Sequence, residues 1–178
     1  MDVPISHVIG TVALIFLTFS ASFSFSMIAS QIEANMLKQQ LREIGEYISL
    51  NLIEVVTLIN LAQYLNNFTM FKVLKLPLDV GGKAYVIKLI NETGRGHYVY
   101  LYLLTSQEVA ASSPVPLNTT GTQVMLVTDP DNGGTLLVRG GRVNYSGIVY
   151  GGRENIVVWG WRKDNETTLA GIGLWRGD

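Results

Sequence analysis

The sequence predicts an α+β protein, a long N-terminal α-helix followed by an antiparallel, immunoglobulin-like β-sandwich. Three observations predict it. No charged side chain stands between Asp2 and Glu33 when His7 is neutral. Apolar residues then recur in steps of three and four as far as Ala62, the period of one helix face. From Phe71 onward the period falls to two, in short runs separated by glycine-rich turns, the pattern of strands with one buried face.

The first segment, residues 3–32, is longer than the roughly 20 apolar residues that cross a bilayer core. A cleaved secretory signal fits poorly, because Met1-Asp2-Val3-Pro4 is not basic and the apolar run is too long; the segment is expected to be retained. It is rich in small and hydroxylated residues, among them Gly10, Thr11, Ala13, Thr18, Ser20 and Ser24. Small residues let helices approach closely, and hydroxyls bond to backbone carbonyls of their own helix.

Nothing breaks the helix where charge begins. Pro4 suits a first turn and the next breaker is Asn66-Asn67, so one helix of residues 1–66 is expected, on the order of 90 Å long at 1.5 Å per residue. Its second half carries the stripe Leu37, Leu41, Ile44, Ile48, Leu52, Val55 and Ile59, expected to pack mostly on the β domain of residues 67–178. Gly45 lies within it as a weak point or a close-packing site.

Strands are expected at Lys72–Leu76, Lys83–Ile90, His97–Leu104, Gln123–Thr128, Thr135–Arg139, Arg142–Tyr150, Asn155–Arg162 and Thr168–Trp175. The separators Gly81-Gly82, Gly94-Arg95-Gly96, Asn132-Gly133, Gly140-Gly141 and Gly151-Gly152 supply turn chemistry. Alternation puts Tyr98, Tyr100 and Tyr102 on one face, expected against the helix or a neighbour rather than as a sugar platform. Trp159 and Trp161 share a face, and with Trp175 are read as core or subunit contacts.

Composition narrows the function. A formal net charge of -1 leaves no basic footprint for nucleic acid. Without cysteine, and with His7 and His97 as the only histidines, a thiolate nucleophile is excluded and a zinc site is hard to build. Asp129-Pro130-Asp131-Asn132-Gly133 reads as a hairpin turn rather than a calcium loop, since the downstream bidentate Glu is missing. No nucleophile–base pair or carboxylate dyad is visible, so an enzyme is not expected. The terminal Arg176-Gly177-Asp178 is too short a match to carry meaning. Asn67, Asn91, Asn118, Asn144 and Asn165 each head an Asn-X-Ser/Thr triplet, all after the apolar segment, which points to an outward-facing domain carrying covalent N-glycans and no other cofactor. Lys38 and Arg42 beyond the apolar run would favour the opposite orientation; the triplets outweigh them because the tail before the run is so short.

The opening Ile5-Ser6-His7-Val8-Ile9-Gly10-Thr11-Val12-Ala13-Leu14-Ile15 resembles the start of archaeal type IV pilins and archaellins, with His7 at the usual proline and Gly10 at the usual alanine. The likeness in architecture covers the whole chain. It implies an extracellular filament subunit, membrane-inserted before assembly, whose partners are further copies in a helical homopolymer, the pilus assembly machinery and the surface layer. Ile5, Val8, Ile9, Gly10, Val12, Ile15, Phe16, Phe19 and Phe23 would pack in the filament core. The family's charged leader is not supplied by Met1 to Ser6: it lies upstream, or is retained, or the chain is not processed. The last case favours the alternative, a membrane-anchored, stator-like or surface-layer-binding protein of the archaellum-associated type.

Overall fold

The computed structural model describes residues 3–62, 67–92, 96–117, 123–129, 133–138, 140–163 and 167–177, with side chains from His7 onward. The chain divides into two units between Met36 and Leu37. One helix, α1 (Val3–Leu61), runs through the division, so the second unit takes in the rest of the helix together with the strands.

Within the second unit the expected stripe is buried. Leu37, Leu41, Ile44, Ile48, Leu52, Val55 and Ile59 lie in one cluster with side chains from the strands. Each such aliphatic contributes about 1.5–3 kcal/mol by leaving water. Among the described residues ten strands follow the helix: β1 (Phe68–Val73), β2 (Tyr85–Glu92), β3 (Gly96–Leu103), β4 (Ser106–Val115), β5 (Gln123–Leu126), β6 (Gly134–Val138), β7 (Gly141–Tyr145), β8 (Ile148–Tyr150), β9 (Ile156–Arg162) and β10 (Thr167–Gly177). They form a six-stranded sheet, β1-β9-β10-β7-β6 with β5 also on β10, and a four-stranded sheet, β4-β3-β2-β8. Together they make a sandwich-like α+β unit sharing one core with the helix stripe.

The helix meets the four-stranded sheet at Gly45, where an added Cβ would stand 2.9 Å from Leu101 Cδ1 and 3.2 Å from Ser113 Cβ. Gly45 is thus a close-packing site. It meets the six-stranded sheet at Gly160, where a Cβ would collide with Ile59 Cδ1. No basic residue occupies the last turn of α1. Instead the buried Arg162 of β9 donates to the Ile59 carbonyl at 3.5 Å, and Thr168 of β10 donates to Asn60 Oδ1 at 3.1 Å. A cation at a helix C-terminus opposes the negative end of its dipole, so a strand supplies the cap that the helix sequence lacks.

Four details differ from or add to what the sequence predicts. β4 was not foreseen: Ser-Gln-Glu-Val-Ala-Ala-Ser-Ser-Pro-Val has weak β propensity, and it pairs because it lies at a sheet edge, where Pro114 is tolerated. The single strand expected over Arg142–Tyr150 is two, β7 and β8, in different sheets; Gly147 permits the step between them, since a Cβ there would strike the Thr128 backbone. The sheets are not wholly antiparallel, because β5 runs parallel to the first part of β10 while β7 holds the second part on the same flank. Finally, the tyrosine face does not meet the helix. Val99, Leu101 and Leu103 do, leaving Tyr98, Tyr100 and Tyr102 half-buried on the opposite face, with the Tyr100 and Tyr102 rings 5.8 Å apart.

The tryptophans build a second cluster on the other face of the six-stranded sheet. Val143, Val157 and Trp159 are buried there, flanked by Phe71, Trp161 and Trp175. Trp159 Nε1 donates to the Ile172 carbonyl at 3.1 Å, so its one polar atom is satisfied.

Candidate assembly helix and glycosylation sites

The first unit has no buried face among its described side chains. Every residue from His7 to Glu33 is exposed, including Phe16, Phe19 and Phe23, each more than 70% exposed and spaced to lie on one side of the helix. Val8, Ile9, Val12 and Ile15 are exposed with them, while the side chain of Ile5 lies outside the described residues. By length and composition this is a helix able to cross a membrane.

Four of its hydroxyls are satisfied within the helix. Thr11 donates to the His7 carbonyl, Thr18 to Leu14 and Ser24 to Ser20, at 2.8, 2.8 and 2.9 Å, and Ser30 donates to Met27 at 2.9 Å. These four hydroxyls therefore need no water, which suits lipid or the flank of another helix. Gly10 is different in kind from Gly45: a Cβ added there would meet nothing within 4 Å. Glycine in a helix interior costs about 1 kcal/mol relative to alanine, and among the described residues no contact offsets that cost at Gly10.

The outward triplets divide by environment. Asn67, exposed and with φ 58°, stands at the turn before β1, and its Oδ1 accepts from Trp161 Nε1 at 2.8 Å. Asn91 is exposed near the end of β2, opposite His97 in register. Asn144 lies inside β7, half-buried, accepting from Thr135 Oγ1 at 3.0 Å. Asn118 and Asn165 lie outside the described residues, as does most of the Asp129–Gly133 turn.

Two titratable groups are shifted by burial. The Tyr85 phenol, which donates to the Pro77 carbonyl at 2.8 Å, is pushed up to about 12. His97 is pushed below 6.5 by partial loss of water. Among the described residues no set of three His, Asp or Glu side chains could hold a metal ion. The grooves are shallow, such as the one between Tyr98, Tyr100 and Ser112.

Sequence reasoning missed the Arg162 cap and the Trp161–Asn67 bond. Both join residues about a hundred positions apart, and no local pattern announces them.

Comparison of the chain with protein-family models, with curated proteins and with solved structures finds no match.

Proposed function

We propose that the chain is a structural subunit of an extracellular, archaeal type IV pilus-like filament, its apolar helices bundled in the core and its glycosylated β domains on the outer surface. The observation that carries the proposal is an apolar helix surface exposed all round, with four of its hydroxyls satisfied by its own backbone. Such a surface does not persist in water, so lipid or other helices must cover it. Gly10 favours helices as the final cover, because lipid tails need no close approach whereas packed helices do. Before assembly the same segment rests in the membrane. Head-to-tail contacts that do not close on themselves then propagate a helical polymer.

The test is the intact mass of the chain in fibres sheared from cells. A strong signal heavier than the polypeptide supports a glycosylated subunit. A chain found only in the membrane fraction, as a monomer after detergent extraction, would sink the filament reading and leave the membrane-anchored, stator-like alternative.

A further inference from the structure

Two Asn-X-Ser/Thr triplets lie wholly within the described residues, Asn67-Phe68-Thr69 and Asn144-Tyr145-Ser146; both amides accept a hydrogen bond at Oδ1, but their exposure and strand pairing differ. An indole N–H only donates, so the atom it meets on Asn67 has to be the amide oxygen. That bond fixes the amide plane and leaves Nδ2, the atom that would be modified, pointing away from the indole on an exposed turn. The indole is itself fixed in place, since Trp161 is the register partner of Thr69, the hydroxyl residue of the same triplet. Asn67 thus stands on an exposed turn, while Phe68 and Thr69 lie in β1, a sheet edge paired on one side only, with β9.

Asn144 has the contrary setting. Its strand is paired on both sides, through Thr135 of β6 and Leu174 of β10, and its side chain is half-buried and engaged by the Thr135 hydroxyl. A transferase that grips an extended triplet would have to peel β7 from both neighbours before reaching the amide.

The geometry points to Asn67 as an N-glycosylation site of the folded chain and to Asn144 as a triplet that the fold withholds. The donor is a polyprenyl-phosphate-linked oligosaccharide. A bond forms between Asn67 Nδ2 and the anomeric carbon while the anomeric C–O bond to the carrier phosphate breaks. The phosphate leaves with the electron pair, and one amide proton passes to a base of the transferase. The inference rests on the outward placement of the β domain in the proposed function.

The experiment is glycopeptide mass spectrometry of the full chain purified from its own cells. Asn67 is expected to carry glycan, with occupancy at Asn144 at least about tenfold lower, the difference that roughly 1.4 kcal/mol of strand opening imposes. Synthetic peptides spanning residues 64–72 and 141–149, incubated with membranes of the same cells and their lipid-linked donor, should both be modified, because neither retains strand pairing. Equal occupancy at both sites, a bare Asn67, or a 141–149 peptide that refuses glycan would each overturn the inference. A filament subunit bare at Asn67 defeats this inference alone, whereas a chain glycosylated at Asn67 but missing from sheared fibres defeats only the filament reading.

Discussion

Tyr85 shows how one buried side chain ties a β domain's stability to pH. Its ring covers Gly151 across the strand pair, where an added Cβ would land among the ring atoms, and its hydroxyl is bonded to Pro77. Burial raises its folded pKa from 10.0 to about 12. The stability from the neutral phenol is therefore fully present below pH 10 and lost as pH rises towards 12. Tyrosinate absorbance should show one of the tyrosines ionising late, together with unfolding, and a Tyr85→Phe variant should lose that late step. Arg162 makes the second residue-scale case. Replacing it with leucine keeps an apolar volume but removes the cation at the end of α1, so Arg162→Leu should cost about 1–3 kcal/mol in urea denaturation of the detergent-solubilised chain. An unchanged midpoint would show that the cap contributes nothing.

At the scale of the element, α1 is one helix with two different surroundings, and its glycines report them. Gly45 faces Leu101 and Ser113 at contact distance, whereas among the described residues nothing lies within 4 Å of a Cβ built at Gly10. The same substitution should separate them. Gly45→Leu overpacks the interface with β3 and β4 and should destabilise the second unit by about 1–3 kcal/mol. Gly10→Leu should leave the unfolding midpoint unchanged while lowering the yield of sheared fibres, because its space matters only once neighbours arrive. A Gly10→Leu chain that assembles normally would remove the close-packing argument. Salt links on the outer helix face are minor by comparison. Lys72–Glu54 and Arg42–Glu46 both lie in solvent at 2.6 and 3.0 Å, where such pairs contribute about 0–1 kcal/mol.

For the whole molecule the division between Met36 and Leu37 separates what holds the fold from what the proposed function uses. The core cluster lies wholly in the second unit, and the exposed aromatic side of the first unit is absent from it. Phe19→Asp should therefore leave the urea midpoint of the second unit as it was. A carboxylate at the centre of an apolar helix costs about 2.5–3.5 kcal/mol on insertion scales, so the same variant should lose incorporation into fibres and partition poorly into membranes. If fibres form with Phe19→Asp at normal yield, the apolar face of the first unit is not their core.

The sequence by itself determined the class of fold, because helix and strand periods are properties of neighbouring residues. Steps of three and four over Leu37 to Ile59 named the buried stripe, and alternation over Tyr98 to Leu103 separated tyrosines from aliphatics without telling which face meets the helix. The glycine pairs marked turns, and Gly81, Gly82, Gly140, Gly141 and Gly152 take the positive φ that such turns require. Tertiary structure alone decided the rest. A strand as polar as β4 forms because an edge of β3 is free to pair, and β5 lies parallel to β10 because β7 has taken the remaining flank. Which glycine is a contact, which strand caps the helix, and which asparagine is paired within a strand on both sides all depend on residues brought together from distant parts of the chain. Local period cannot encode such meetings; only packing and pairing in three dimensions produce them.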